Sequence, residues 1–586
     1  MAALLLAVGT FLWWRNATSS ADSLDKSIAV LPFENLSDSK DNAYFADGVQ
    51  DEILTHLAQV AQLKVIGRAS VMVYRDPLKR PSTEEIGKAL GVAYILNGSV
   101  RRQDNRIRVS SELEEARTGR EVWAEQYDRD LADVFTIQTD IAQRIVQELQ
   151  AKLTPSEKSS LEEPPTKDIA AYELYLKGRE IVANEISGNP KAESLLATVR
   201  LLDEATSRDP NFAMAWCQLA EAHNALYAYN YDHTPHRLEL AKNALQKAIQ
   251  LQPDLGEAHL AAALIEFNTT RDFRATQKEL ELAARTMPNS SRLLIVRGKM
   301  DSLEGKWADS FKHLEAAYEL DPKKTDSAEW LTRYNDQHRR YQEAYQWLAK
   351  SEAAGLDPDK IRMNRAFLLW HEKGDSSGLR ESYDRISRAG QLTADVIEMR
   401  LLGALGQRKF DEAMQILNAV EGPELVSFNG AYARDYFRGW VARFAKDEVT
   451  AKAAFTAARP IHEGYVRKWP DQARPLMILG VTDAALGNKE VAMKEGRQAM
   501  QTALNAKTDI DGLTLGYELA EIYLWVGEPE LAISELESLK NAPMCLFYGD
   551  LRKDPTWDAL QGNPRFEQLL ASLGPITPVN TPVHSQ

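Results

Sequence analysis

Prolines recur at a nearly constant interval along the second half of the chain, and this spacing constrains the fold more than any other feature. Five prolines at helix-end positions are separated by 43, 35, 34 and 36 residues: Pro210, Pro253, Pro288, Pro322 and Pro358. A period near 34 residues is the length of one antiparallel helix pair. One such pair cannot bury its apolar face alone, so copies must stack. The spacing therefore predicts an all-α solenoid of stacked helix pairs.

Small and large residues also recur in a fixed order inside the repeat. Gly298 stands where two helices cross, Gly305 ends the first helix, and Trp307 and Leu314 fill the interface. The same order returns in later copies, at Gly480, Gly487, Ala492 and Ala499, and at Ala520, Tyr523, Gly527, Ala532 and Leu536. Residues from about 168 to 540 resemble the tetratricopeptide family on this pattern. The region 361–468 is degenerate, so the number of repeats there stays open.

The tetratricopeptide resemblance implies a concave groove lined by the first helix of each pair, of the kind that binds protein segments. Core-facing positions such as Leu219 and Gly298 fix the helical phase, and residues offset from them by one or two point to the groove. These positions are predicted to bind a protein or peptide partner: Met214, Cys217, Glu221, Arg292, Ile295, Lys299, Asp326, Glu329 and Arg333.

Strand and helix signals alternate in the first part of the chain. Short β-branched runs, amphipathic helical spacing and the turns at Asp104 and Gly119 give the order βαβαβββα. Asp47 with Gln50 three residues later predicts a helix N-cap. The fold class predicted is therefore mixed: an N-terminal membrane helix, a small α/β domain with a mixed sheet at 24–153, and the helical solenoid.

The α/β part also resembles a known family. The stretches SIAVLPFENLSDSKDNAYFADGVQDEILTHLAQV, LKVIGRASV and EIGKALGVAYILNGSVRRQDNRIRVSSELEEARTGREVWAEQYDRDLADVFTIQTDIAQRI are similar to the TolB-like (FlgO-related) domain of bacterial envelope and signalling proteins. In that family the domain often follows one membrane helix, and tetratricopeptide repeats usually follow it. In the family an output domain lies ahead of that helix: an adenylate cyclase, a winged-helix regulator or a kinase. This sequence departs from that pattern, and no output domain is expected on this chain.

Residues 2–14, AALLLAVGTFLWW, carry no charge. As a helix they extend about 20 Å, against roughly 30 Å of hydrocarbon. The aromatic end at Trp13 and Trp14, followed by Arg15, is typical of a membrane interface. The interpretation is a membrane anchor at 1–20 whose beginning is missing or very short; a cleaved signal peptide is the alternative. The localisation predicted is the bacterial inner membrane with the soluble part in the periplasm.

The remaining boundaries follow from composition. Residues 154–167 are polar with prolines and predict a linker, 168–572 form the repeats with a C-terminal cap, and 573–586 predict a disordered tail. The chain has 586 residues, 70 basic and 85 acidic, and this net charge of −15 argues against broad nucleic-acid binding. Its 2 cysteines exclude a disulfide-rich scaffold, an iron–sulfur protein and a cysteine-based zinc finger.

Candidate chemistry is sparse. The acids Asp47, Asp51 and Glu52 are better explained as a helix cap and first turn than as metal ligands. The loop with His233 and His236 is likewise better explained as an ordinary packed loop than as a metal site. A hairpin carries arginines that form either a solvated surface or an anion patch: Arg101, Arg102, Arg106 and Arg108. No phosphate-binding loop or recognisable nucleophile–base spacing is present. We therefore predict no catalytic residue, no metal and no cofactor.

The function predicted is that of a non-enzymatic, membrane-anchored envelope protein that uses the TolB-like domain and the repeats for protein binding or signal transduction. The alternative is the sensory half or remnant of an adenylate cyclase or transcription regulator without its output domain. A small-molecule sensor using the α/β domain shares the first architecture.

Overall fold

A computed structural model describes most of the chain. The described residues are 26–37, 43–183, 191–229, 231–270, 272–388, 394–427, 430–505, 509–543 and 546–574. The chain divides into two compact units. The first comprises residues 1–301 and 308–327, and the second comprises residues 302–307 and 328–586. The predicted disordered tail, 573–586, lies outside the described residues except for its first two, of which Leu573 ends the last helix.

The first unit opens with a mixed, six-stranded sheet in the order β3-β1-β4-β5-β6, with β2 paired to β4. The strands are β1 (Ser27–Val30), β2 (Glu34–Asn35), β3 (Lys64–Val65), β4 (Tyr94–Gln103), β5 (Arg106–Glu115) and β6 (Arg120–Asp130). β1 is parallel to β3 and β4, whereas β4, β5 and β6 are antiparallel. Asp104, with φ +51°, closes the turn between β4 and β5.

Helices cover this sheet and continue beyond it. They are α1 (Ala43–Ala58), α2 (Arg68–Met72), α3 (Thr83–Leu90) and α4 (Val134–Glu148). Ser82 and Glu85 form a capping box at the start of α3, and Gly91 ends the helix with φ +65°. Ile141 and Ile145 of α4 are fully buried against the sheet side of the core.

The predicted polar linker at 154–167 contains a short helix. Helix α5 (Pro155–Glu162) begins at a capping box formed by Thr154 and Glu157. Leu161 is fully buried in the core, and the Ala61 N–H donates to Glu157 Oε1 at 2.9 Å. A single apolar residue gives no periodicity, so only the tertiary contact reveals that this segment packs.

One hydrophobic core joins the sheet to the first helix pairs. It runs from Ile28 to Ala244 in sequence. An aromatic chain crosses the junction, with ring centroids 4.8 Å apart for Phe135 and Tyr172 and 5.1 Å apart for Tyr175 and Phe212. The α/β part and the first helix pairs therefore belong to one compact unit.

Antiparallel helix pairs follow in the first unit. The helices are α6 (Ile169–Ala183), α7 (Ala192–Arg208), α8 (Ala213–Ala228), α9 (Pro235–Leu251), α10 (Gly256–Thr269) and α11 (Phe273–Thr286). Consecutive members contact as α6 with α7, α8 with α9 and α10 with α11, and the first helices α8 and α10 also touch. The predicted tetratricopeptide-like arrangement is confirmed at this level.

The segment where the unit boundary falls holds α12 (Ser291–Leu303), α13 (Trp307–Leu320) and α14 (Thr325–Gln337). The predicted close crossing at Gly298 is present, because a Cβ there would lie 2.8 Å from Leu314 Cγ. The Ser310 hydroxyl donates to the Gly298 carbonyl at 2.7 Å.

The second unit is also largely helical. Its helices are α15 (Tyr341–Ala353), α16 (Pro358–Lys373), α17 (Ser377–Arg388), α18 (Ala394–Gly406), α19 (Phe410–Asn418), α20 (Arg434–Phe444), α21 (Glu448–Lys468), α22 (Ala473–Ala485), α23 (Lys489–Asn505), α24 (Asp509–Trp525), α25 (Pro529–Leu539), α26 (Tyr548–Lys553) and α27 (Pro564–Leu573). Near its end Trp557 is fully buried and donates its indole N–H to Tyr517 Oη at 2.6 Å.

A two-stranded hairpin interrupts the helices of the second unit. Strands β7 (Glu424–Ser427) and β8 (Gly430–Ala433) pair antiparallel. The hairpin departs from the all-α solenoid predicted for residues 168–572. The hairpin packs because Tyr432 is buried and the Ala433 N–H donates to His462 Nε2 at 3.1 Å. It falls within the stretch 361–468 where the repeat pattern degenerates.

The predicted membrane helix and inner-membrane localisation are not supported, and the predicted fold class is wrong in that part. Among the helices of the described residues, none is both long and apolar enough to cross a membrane. The segment 1–20, to which the anchor was assigned, lies outside the described residues. The apolar run of residues 2–14 is also about 10 Å short of a hydrocarbon core.

Candidate functional site

The predicted groove residues of the first unit meet in one ion pair. Glu221 lies on α8 and Arg292 on α12, and Arg292 Nη1 donates to both carboxylate oxygens of Glu221 at 2.9 and 3.0 Å. These helices are the first members of repeats that are not adjacent, since α10 lies between them in sequence. The ion pair therefore links the first helices of two repeats across the repeat that lies between them.

Two of the predicted groove residues are buried rather than open to a partner. Cys217 is 3% exposed and packs among small residues that include Ala258, and Ile295 is 7% exposed. Burial raises the pKa of the Cys217 thiol, and the nearby Glu221 raises it further. Cys217 is thus a neutral packing residue. Met214 is half-buried against the same core as the sheet.

The other predicted positions carry charge. Lys299 is half-buried, and Asp326 lies 3.8 Å from Lys324 Nζ. In the second unit Glu329 Oε2 is 3.7 Å from Lys360 Nζ. The Arg333 guanidinium lies 5.3 Å from the ring centroid of Trp330. The nine predicted residues are therefore divided between the two units, with seven in the first.

A second charged cluster, not expected from sequence, lies where α1 meets α2 and α6. Asp47 is inside α1, so its predicted role as N-cap is wrong. Its carboxylate instead pairs with Arg75, and Asp51 accepts from Arg68 Nε at 2.6 and 2.9 Å. Arg179 of α6 reaches Asp51 Oδ2 at 3.4 Å. We call these five residues the junction cluster, because it links the sheet's helix to the first repeat.

Two neighbours of the junction cluster have strongly shifted pKa values. Burial raises the pKa of Glu52 to about 7, although Arg179 opposes the shift. Burial also lowers the pKa of His56 to about 4. His56 Nε2 lies 3.5 Å from Glu52 Oε1. With these values the contact joins a protonated carboxyl to a neutral imidazole near pH 6, and is not an ion pair.

The acids flagged in the sequence are held by arginines rather than grouped around a cation position. In the part of the chain that the structure describes, no three His, Cys, Asp or Glu side chains lie together as a metal site would require. The histidine loop is also engaged in packing, since His233 stacks on Tyr227 with centroids 3.9 Å apart. The arginine partners come from distant segments, and no local sequence signal identifies them.

The hairpin arginines are also bonded within the protein. Arg106 and Arg108 each reach Asp128 at 2.5 Å, and Arg102 pairs with Glu173 at 2.5 Å. These contacts support the interpretation of a solvated hairpin surface rather than an anion patch.

Comparison with known proteins gives one curated relative and several solved structures. No family model matches the chain. A Rhizobium meliloti (strain 1021) protein named as candidate adenylate cyclase 3 is 35% identical over 239 residues, which is 41% of this chain. The chain spans about 40% of the length of that relative.

Two solved structures illustrate the neighbours. PilF of Pseudomonas aeruginosa is 21% identical, with a TM-score of 0.29 over 36% of this chain and 91% of PilF. Yeast Tom70 is 12% identical, with a TM-score of 0.29 over 70% of this chain and 96% of Tom70. The elements described above and their contacts show that the chain consists of an α/β part with a mixed sheet, followed by tetratricopeptide-like helical repeats.

Proposed function

We propose that this chain is a non-enzymatic scaffold that binds a protein or peptide segment on the concave side of its helical repeats. The observation that supports the proposal is the Glu221–Arg292 pair, which joins the first helices of two repeats that are not adjacent. A groove bordered by such a pair, with Lys299 and Asp326 on nearby helices, suits a polar segment carrying both charges. We also propose that the α/β part is a TolB-like domain, on the residue stretches given above.

The first experiment locates the binding face. A photo-crosslinking amino acid is placed at position 299 in the full chain, and at position 278 on the second helix α11 as the matched control. Lys278 is exposed, so both probes sit on repeat helices. We expect discrete adducts from position 299 and none of these from position 278. Equal adduct patterns from both positions would contradict the concave-face proposal.

The second experiment separates recognition from structure. Arg292→Glu breaks the pair, whereas Glu221→Arg combined with Arg292→Glu restores an opposite-charge pair with its polarity inverted. If the partner recognises the charges, the double variant stays defective in capture at normal thermal stability. The proposal fails if the double variant captures the same adducts as the unaltered protein, because the pair would then be structural only.

The curated relative favours a second candidate function. Its name concerns a cyclase, and the identity of 35% extends over 239 residues. The alternative is therefore that this chain forms the regulatory part of an adenylate cyclase system. We expect the purified chain to produce no cyclic AMP from ATP. Turnover that survives repurification and is abolished by one point substitution would contradict both candidate functions, because neither places a catalytic site in this chain.

A further inference from the structure

The last part of the second unit returns to the turns that follow earlier helices of the same unit. We call residues 546–558 the clasp; they include α26 and the turn that follows it. Arg339, which follows α14, donates to the Leu546 carbonyl at 3.1 Å. Arg408, which follows α18, donates to the Lys553 carbonyl. The clasp is therefore fixed to the ends of two first helices of this unit.

These turns share one backbone conformation. Arg339 has φ +56° and Arg408 has φ +60°, in the left-handed region that disfavours a residue with a Cβ. Gly374, which ends α16, has φ +70°. A Cβ at Gly374 would lie 2.7 Å from Lys553 Cγ, so the clasp approaches this turn as well. Three turns of the second unit thus hold the clasp.

Helix α24 carries a buried acid on the face that meets the clasp. Tyr517 of this helix accepts from the Trp557 indole N–H at 2.6 Å, and Glu521 lies one turn further along the same face. Glu521 is 1% exposed, and its Oε1 has no hydrogen-bond partner among the described residues. A carboxyl in this position favours its neutral form, because the ionised form would be desolvated without compensation. Burial accordingly raises the pKa of Glu521, and the nearby Asp554 of the clasp raises it further.

The clasp contributes two more carboxyls to this interface. Asp554 accepts from the Thr556 N–H at 2.8 Å, and Asp550 accepts from the Trp370 indole N–H at 2.5 Å. Burial raises the pKa of Asp554 from 3.8 to about 6, although the bond from Thr556 opposes the shift. Burial also raises the pKa of Asp550. Ionising these carboxyls would place like charges together at one interface.

A histidine beside the clasp responds to pH in the same direction. His371 of α16 stacks on Phe547 with ring centroids 3.7 Å apart, and its Nδ1 lies 2.7 Å from Asp336 Oδ2. Burial disfavours the imidazolium, but Asp336 and Asp550 outweigh burial and raise the pKa of His371. Protonation of His371 therefore strengthens its contacts with Asp336 and with the clasp.

Cations near these groups are already engaged. Arg408 donates to Asp558 Oδ1 at 2.5 Å, Arg443 of α20 lies near the buried acid of α24, and Arg474 pairs with Glu518 at 2.6 Å. Tyrosines at the interface stay neutral, because burial raises their pKa. The other charged or titratable groups around the carboxyls and His371 are Asp336, Arg339, Tyr341, Glu372, Tyr517 and Glu518.

We propose that closure of the clasp is pH-sensitive: the clasp is held in mildly acidic solution and opens more readily as Asp550, Asp554 and Glu521 lose their protons. Opening would uncover the ends of α14, α16 and α18. The proposal is independent of partner binding by the first unit.

The sign follows from the direction of the shifts. A carboxyl whose pKa is raised in the closed state stabilises closure fully below its ordinary pKa, and this contribution is lost as the pH rises through the raised value. For Asp554 the loss falls between pH 3.8 and about 6, and His371 adds a loss above its ordinary value of 6.5. Between about pH 5 and 8, Asp554 alone makes opening about 10-fold more favourable.

The test measures amide hydrogen exchange of α26 in the full chain between about pH 5 and 8, with each rate divided by the intrinsic rate at that pH. We expect the protection of α26 to fall at least 10-fold over this range. Asp554→Asn keeps an oxygen acceptor for Thr556 and cannot ionise, so its fall should be about 10-fold smaller. Glu521→Gln is the second variant and should also reduce the fall.

Asp411→Asn removes an exposed acid from α19 of the same unit and is the matched control, which should keep the full pH dependence. Thermal melting at the acidic end of the range establishes that each variant is folded, and either folded variant decides the question. A reduced fall in Asp554→Asn or Glu521→Gln, but not in Asp411→Asn, supports the proposal. It is overturned if the unaltered chain protects α26 equally at both ends of the range, or if the folded variants keep the full fall.

Discussion

Replacing Asp321 should loosen the contact that holds α2 on the end of α13. Asp321 is 4% exposed, and its Oδ1 accepts from the Ser70 N–H at 2.8 Å and from Ser70 Oγ at 2.5 Å. The Gly67 N–H also donates to the Leu320 carbonyl at 2.7 Å. Hydrogen bonds to a charged acceptor contribute about 1.5–3 kcal/mol each. Asp321→Ala removes two of them and leaves a buried donor unpaired.

We expect Asp321→Ala to lower the free energy of local opening of α2 by about 3 kcal/mol. This is less than the summed contributions of the two hydrogen bonds, because the alanine also removes the desolvation cost of a buried carboxylate. Burial raises the pKa of Asp321, which is the signature of that desolvation. A chain of this size does not unfold in one step, so the measurement should be local. Hydrogen exchange of the peptide containing Ser70 reports the opening directly, and about 3 kcal/mol corresponds to roughly 100-fold faster exchange.

Two variants make this measurement decisive. Asp321→Asn keeps an oxygen acceptor without the charge, so it should lower the free energy of local opening of α2 by only about 1 kcal/mol. Glu315→Ala changes an exposed acid on the same helix and should leave exchange at Ser70 unaltered. If Asp321→Ala leaves the exchange of Ser70 as slow as in the unaltered chain, the carboxylate does not hold α2 and the reasoning is refuted.

Two further predictions concern buried groups. On folding, the pKa of Glu52 rises from 4.5 to about 7, and the pKa of His56 falls from 6.5 to about 4. Between pH 4.5 and 6.5 the two residues together therefore bind one proton in the folded state and one in the unfolded state. The pair then makes the free energy of unfolding independent of pH in this range. In Glu52→Gln the free energy of unfolding should rise by about 1.4 kcal/mol per pH unit from pH 4 to 6.5, because only His56 then titrates. In His56→Gln it should fall with the same slope from pH 4.5 to 7. The assignment would be contradicted if urea unfolding showed the same pH dependence for both variants. Gly549→Ala should destabilise the second unit by several kcal/mol, because a Cβ there would overlap the Trp370 carbonyl. Gly464→Ala is the control and should leave stability unchanged, because its Cβ would meet only a side-chain atom 3.9 Å away. Similar melting temperatures of the two variants would contradict the close packing of Gly549 against Trp370.

The differences between the sequence predictions and the structure share one cause. Helical and strand periodicity indicates only which face of a segment is apolar. Asp47 fits an N-cap by its spacing to Gln50, yet it lies within α1 because the helix extends further toward the N-terminus. Cys217 fits a groove position by its offset from Leu219, yet small residues of the next repeat cover it. The hairpin at 424–433 was missed because its strands are four residues each and stand in a region without a clear repeat.

By itself the sequence determined the repeat length, the close crossing at Gly298, and the strand and turn signals of the first part, because each depends on residues a few positions apart. The tertiary structure alone decided which charges meet. Arg179 and Asp51 are 128 residues apart, and Ser70 and Asp321 are 251 apart. It also decided that the sheet and the first helix pairs share one core. Such contacts arise where separate apolar faces stack, and the polar side chains at their margins then pair with whichever partner the stacking brings within reach.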